Sequence, residues 1–229
     1  MQDTFDNFRA KVRKAIDDIA PSGTADSFVG DVNNEIDQAL EHAATSLLRE
    51  LPIELLEPAL INNTTTSPTW NLWYRAADGS GYIDLPNVFL RFVSLKIQAW
   101  NGTVSELMEP SSNAEKMQRS KWSRGSNDKP KAMLDTASIT EGEGQQATTS
   151  IKQVLRYWPG GDEDVLETLL YIPKVKKVKS APSVTTEDSY YMALKDECEK
   201  NLIYLACRIF LEGKKEHAAA DKFAQLATI

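Results

Sequence analysis

Gly79–Trp100, GSGYIDLPNVFLRFVSLKIQAW, is the stretch around which the chain is organised. The turn Asp78-Gly79-Ser80-Gly81 leads into a short apolar strand, Tyr82–Leu85. Pro86 breaks that run, and Asn87-Val88-Phe89-Leu90 reads as a tight turn. Arg91–Trp100 then alternates: Phe92, Ser94, Lys96 and Gln98 fall on one side, and Val93, Leu95, Ile97 and Ala99 on the other. The second set is apolar, which predicts a half-buried strand. A strand cannot bury a face alone, so the rest of the chain must supply partner strands and a cover.

Working outward, Trp70–Tyr74 is a predicted strand that pairs with Gly81–Leu85 across the Asp78-Gly79 turn. Val104–Met108 returns as a short extended piece after Asn101-Gly102. Lys131–Asp135 and Ile151–Trp158 are strand candidates, and residues 136–150 have the composition of a loop. Pro159-Gly160-Gly161-Asp162 turns Ile151–Trp158 into a hairpin with Leu166–Ile172. The run Lys174–Lys179 (KVKKVK) reads either as a lysine-protected edge strand or as a short phosphate-binding run.

The ends of the chain are helical in pattern. Phe5, Phe8, Val12, Ile16 and Ile19 recur at steps of three and four, predicting a helix over 3–20 that ends at Pro21-Ser22-Gly23. A second helix starts near Ser27 or Asp31 and runs to Leu51, its stripe built from Val32, Ile36, Leu40, Ala43, Leu47 and Leu51. Residues 53–69 hold two prolines and a polar run, the signature of a loop. From Thr186 the pattern is helical again, with Tyr191, Leu194, Cys198, Leu202, Leu205 and Ile209 on one face, broadened by Tyr190, Ile203, Ala206 and Phe210, until Gly213. A last helix over Lys214–Thr228 has too little apolar surface to stand alone, so it frays or docks on a partner. The predicted fold class is therefore α+β. Helices in 1–52 and 181–229 form a bundle, and an antiparallel β-rich insertion occupies 53–180.

Composition narrows the function. The chain has 229 residues and a net charge of −7. Residues 1–60 carry 12 acidic and 5 basic side chains, and the remainder carries 21 of each. A duplex-binding domain would show a basic stripe instead. An acidic surface fits plain solubility, and also DNA that passes without sticking. No run is long enough to cross a bilayer as a helix. The first residues lack a secretory pattern, so the Asn101-Gly102-Thr103 sequon is expected to be idle. Cys198 and Cys207 fit reduced core thiols. The two histidines, His42 and His217, lack ligand partners, so structural roles are expected. Phosphate loops, GxSxG, HExxH and CxxC patterns are all missing from the sequence, and no enzymatic activity, cofactor or metal is expected.

Two segments suggest partner contacts. Residues 109–129 are polar and basic, with Lys116, Arg119, Lys121 and Arg124 around the one large aromatic, Trp122. Trp122 either projects as a contact element or tucks back onto the sheet. At the C-terminus, Lys214, Lys215, Phe223 and Leu226 are candidates for docking on a neighbour.

The order of motifs carries a resemblance. Leu85-Pro86-Asn87-Val88-Phe89-Leu90-Arg91-Phe92-Val93-Ser94-Leu95-Lys96 is followed by Trp100 and Val104, then Lys116-Met117-Gln118, Arg124-Gly125 and Lys129-Pro130. Leu155-Arg156-Tyr157-Trp158-Pro159 and Leu170-Tyr171-Ile172-Pro173 close the series. This order resembles the head-to-tail connector, or ring, proteins of podovirus-like and crAss-like tailed bacteriophages, over roughly residues 28–215. The family's pattern carries an acidic residue where this chain has Asn87-Val88. The resemblance implies a virion protein of the neck or tail, made in the bacterial cytoplasm. It implies a ring of about twelve copies below the portal, closed by one repeated contact. Its partners would be itself, the portal and other tail or ring proteins. DNA would pass through the channel without sequence-specific binding, lined by the acidic N-terminal quarter, and no membrane is involved. The alternative from another class is a binding module holding a carbohydrate or peptide on Trp70, Trp73 and Trp122.

Overall fold

A computed structural model describes residues 2–19, 32–62, 72–75, 77–141, 148–178 and 189–227. The chain is α+β and divides into two compact units. One is assembled from both ends of the chain, Met1–Pro58 and Ile172–Ile229; the other is the continuous middle, Ala59–Tyr171. The expected β-rich insertion, 53–180, is thus longer than the middle unit: Ile53–Pro58 and Ile172–Val178 belong with the helices.

In the terminal unit, α1 (Phe5–Ile19) and α2 (Val32–Glu50) bury the stripes read from sequence. Phe8, Val12 and Ile16 are fully buried, as are Ile36, Leu40, Ala43 and Leu48. Pro21-Ser22-Gly23 lies outside the described residues. Both helices pack with α4 (Glu199–Gly213), which also carries α5 (His217–Leu226). Charged pairs pin the bundle. Asp37, buried on α2, accepts two hydrogen bonds from Arg9 of α1, at 2.9 and 2.5 Å, which raises the Arg9 pKa further. Lys11 pairs with Glu199 of α4. A small sheet in the order β1 (Gln2–Thr4), β10 (Ser189–Tyr191), β9 (Lys176–Val178) completes the unit. Of the run Lys174–Lys179, Lys176–Val178 is an edge strand and Lys174-Val175 is not, while Lys179 lies outside the described residues.

The helix expected from Thr186 is shorter than its spacing suggested. Ser189–Tyr191 forms ladders with β1 on one side and β9 on the other. Two ladders, with Tyr190 and Tyr191 as good strand formers, override the helical spacing. Met192, Ala193 and Leu194 are buried without being helical, a single turn covers Asp196–Cys198, and α4 begins at Glu199. Its buried face is Leu202, Ile203, Ala206, Cys207, Phe210 and Leu211, which includes the expected Leu202, Ile203, Ala206 and Phe210, while Leu205 and Ile209 are half-buried.

The middle unit holds two sheets, ordered β2-β8-β5 and β3-β4-β7-β6. In the first, β2 (Ala59–Asn62) pairs antiparallel with β8 (Leu166–Pro173), which also joins β5 (Phe89–Ile97). In the second, β3 (Leu72–Arg75) and β4 (Ser80–Asp84) form the expected hairpin, and β4 lies beside β7 (Thr148–Trp158) and then β6 (Lys131–Glu141). Side chains from both sheets meet in one core that includes Ile83, Leu95, Ile97, Leu155, Tyr157 and Leu169. Tyr157 stands edge-on to Trp100, with ring centroids 5.4 Å apart, and Trp100 donates its indole hydrogen to Pro159 O at 3.1 Å.

Several expectations need correction here. Residues 136–141 and 148–150 are not loop but the outer arms of β6 and β7. Their register runs unbroken from Lys131↔Trp158 to Glu141↔Thr148, so eleven ladder pairs outweigh the polar composition. Ile151–Trp158 and Leu166–Ile172 are not a hairpin: β7 and β8 enter different sheets. The loop expected over 53–69 contains β2. The turn after Pro86 is only Asn87-Val88, and Phe89 already belongs to β5, where it stacks on Tyr171 at 5.8 Å. On β5, Phe89, Leu95 and Ile97 are buried and Val93 is half-buried, whereas Ala99 is exposed because the strand ends at Ile97. Val104 and Met108 contribute single bridges, to Leu95 and Met133.

Candidate interaction site

Residues 109–130 form an arm on the middle unit, built up by capping and polar bracing. Ser112 caps α3 (Asn113–Gln118), accepting from Glu115 N at 3.2 Å, while the Glu115 carboxylate reaches back to Ser111 N at 2.6 Å. This reciprocal arrangement satisfies free N–H groups at the helix start. The buried Gln118 then ties the arm to itself: its amide nitrogen donates to Ala114 O at 2.8 Å, and its oxygen accepts from Gly125 N at 2.7 Å. Ser123 Oγ donates to Met117 O at 2.7 Å.

Further bonds fasten the arm to the sheets. Met108 N donates to Ala132 O at 2.8 Å. Asn101 N and Gly102 N both donate to Asn127 O, and Asn101 Nδ2 donates to Asp128 at 2.7 Å. Arg124 donates to Asp78 O at 3.2 Å and lies over Gly79, where φ is +62° and any Cβ would strike the guanidinium. The anchorage below is itself charged. Asp78 accepts from Ser80 N at 3.1 Å, from Ser80 Oγ at 2.6 Å and from Arg156 at 2.5 Å. Burial alone would raise the Asp78 carboxyl, but Ser80 and Arg156 hold it below its ordinary value. Arg156 also reaches Asp135 at 3.4 Å and stacks 4.6 Å from the Trp158 ring.

On this braced arm Trp122 is 95% exposed. It does not tuck onto the sheet. Met117 beside it is 53% exposed. Lys116, Lys121 and Arg119 are also exposed, with Arg119 at 3.7 Å from Glu115. Arg124, expected as a contact, is half-buried and serves as a brace. The arm therefore exposes an aromatic, a thioether and three cationic side chains on a hydrogen-bonded backbone.

The C-terminal candidates behave differently, and they lie in the other unit. Phe223 is fully buried against α4, 5.9 Å from the Tyr204 ring, so it is core rather than contact. Lys214 pairs with Glu35 and lies 5.7 Å from the Phe210 ring. Lys215 is exposed with a φ of +65°, just after Gly213 ends α4. Leu226 is 46% exposed. The carbohydrate or peptide alternative needs Trp70, which lies outside the described residues, and Trp73, whose strand but not side chain is described.

Elsewhere, a hollow lined by Arg75, Tyr82, Asp135, Thr136, Ser138 and Arg156 contains both carboxylate and guanidinium, and Arg156 there is held by Asp78 and Asp135. His42 is exposed beside a groove that also holds Glu35 and Lys214. Among the described residues no group of three His, Cys, Asp or Glu side chains is placed to hold a metal, and no helix is long and apolar enough to cross a membrane. Both thiols are buried and free. Burial pushes Cys207 up to about 12 and also raises Cys198. Sequence reasoning located the arm, and Ser112 or Asn113 as the cap of a short helix through Gln118, but missed the other braces. Ser112-x-x-Glu115 was the one local signal available, whereas the Asp78–Arg156 pair joins residues far apart in the chain.

Compared with known proteins, the chain matches no protein-family model and no curated protein sequence.

Proposed function

We propose that this chain is a structural assembly protein without an active site, a head-to-tail connector component of a tailed bacteriophage virion. In this reading about twelve copies form a ring below the portal, related by one repeated contact. The ring extends the DNA channel and attaches the tail. The observation that carries the reading is Trp122, exposed on an arm whose every turn is braced. Leaving a tryptophan in water forgoes roughly 1.5–3 kcal/mol of burial, and ordered aromatic anchors ringed by polar groups are what protein interfaces use. A unit assembled from the helices of both chain ends, with a continuous β-rich middle unit between them in sequence, also fits the architecture that the resemblance implies.

The test is the solution mass by light scattering, alone and mixed with a portal protein. A species of ring size, alone or on the portal, is expected. A protein that stays monomeric at every concentration and ignores the portal would sink the reading.

A further inference from the structure

The arm has a counterpart in charge on the terminal unit. Residues 109–131 carry six basic and three acidic side chains. The segment after α2 and the turn before α4 form an acidic corner. Their backbones are stitched together: Lys195 N donates to Leu55 O at 3.1 Å, Glu57 N donates to Ala193 O at 2.9 Å, and Leu56 bridges Leu194. This brings the segments that carry the exposed Glu54, Glu57, Asp196 and Glu197 together, with Lys195 and Lys200 as the exposed cations of the same stretch. Ile53, 37% exposed, lies in the segment with Glu54. An exposed apolar side chain in an acidic segment thus stands opposite in charge to Trp122 and Met117, exposed in a segment with Lys116, Arg119 and Lys121.

Resting on the assembly reading above, we infer that the Trp122 arm of one copy binds the acidic corner of a second copy. The two surfaces differ, so the contact is heterologous. It leaves a free arm at one end and a free corner at the other, and repeats until a ring closes. Trp122 supplies the anchor and Ile53 its apolar seat. The charges set register and speed encounter rather than supplying most of the affinity.

The test measures self-association of the full chain by sedimentation equilibrium, with unfolding midpoints confirming that each surface variant is folded. Trp122→Ala should weaken association roughly thirtyfold, the effect of a central anchor. The double reversal Arg119→Glu/Lys121→Glu should weaken it, as should Glu54→Lys/Glu197→Lys. Mixing those two variants, each blocked alone, should restore a heterodimer. Raising salt from about 0.15 to 1 M should weaken the wild type as screening shortens. If the wild type associates but Trp122→Ala does not weaken it, the arm is not the contact and the inference falls while the assembly reading stands. If both reversals weaken association and their mixture does not recover it, the arm meets some other surface and the inference falls. Reversals with no effect overturn it equally. A wild type that is monomeric alone and on the portal removes the assembly reading and this inference together.

Discussion

The 109–130 arm and helix α5 each carry an aromatic expected to meet a partner, yet Trp122 is 95% exposed and Phe223 is fully buried. The difference lies in their neighbours along the chain. Phe223 sits one turn from Ala220 on a ten-residue helix, and both face α4, so an apolar stripe finds a cover within its own unit. Trp122 follows Ser120 and Lys121 in a run of turns, with no apolar companion at helical or strand spacing. The arm spends its buried polar group, Gln118, on holding its shape instead. An aromatic that belongs to a periodic pattern is thus claimed by the core, while one held apart by a polar brace stays exposed.

Substitutions can break or sharpen this contrast. The largest effect is expected at Phe223→Ala, about 3–5 kcal/mol from the lost contacts and the cavity, read as a fall in the denaturant midpoint. An unchanged midpoint would mean that α5 is not part of the folding core. Next is Asp37→Ala, which removes two hydrogen bonds from Arg9 and leaves the one to Asp6. Its cost should approach but not reach the about 3–5 kcal/mol of a fully buried pair, because the Arg9 side chain keeps 22% of its surface in water.

Raised pH gives a third test of burial in the helical unit. Cys207 titrates near 12 when folded, against 9.0 ordinarily. Between those values the folded chain binds more protons than the unfolded one, so stability falls as pH rises through that window, by roughly 1 kcal/mol at pH 10. Native Cys207 should also resist thiol reagents at pH 8 and react once unfolded. On the arm, Ser112→Ala should cost about 1 kcal/mol of local order, seen as faster amide exchange over 113–118 with little change in global unfolding. Smallest of all for stability is Trp122→Ala, within about 0.5 kcal/mol. A larger loss would show that the arm leans on its tryptophan and would weaken the contrast drawn here.

Much of the helical unit was legible because its signal is local. Phe8, Val12 and Ile16, or Ile36, Leu40 and Leu47, mark one face at a fixed period, and that face is buried whatever it meets. The hairpin at Asp78-Gly79 was legible for the same reason, since a two-strand turn is written in adjacent residues. The basic arm with one tryptophan could also be located from composition.

Only the tertiary structure decided the rest, because pairing between distant strands leaves little local trace. β7 turns at Pro159 as a hairpin would, yet it pairs with β4 and β6, while β8 joins β2 and β5. The outer arms of β6 and β7 read as loop because polar residues on a ladder look the same as polar residues in water. Ser189–Tyr191 became a strand only because β1 and β9 flank it. Whether Trp122 would fold inward was settled by contacts from Asp78, Asn101 and Ala132, which are remote in sequence. Periodicity within a segment tells which face is apolar; which partner covers that face, or leaves it open, depends on long-range geometry that no single segment contains.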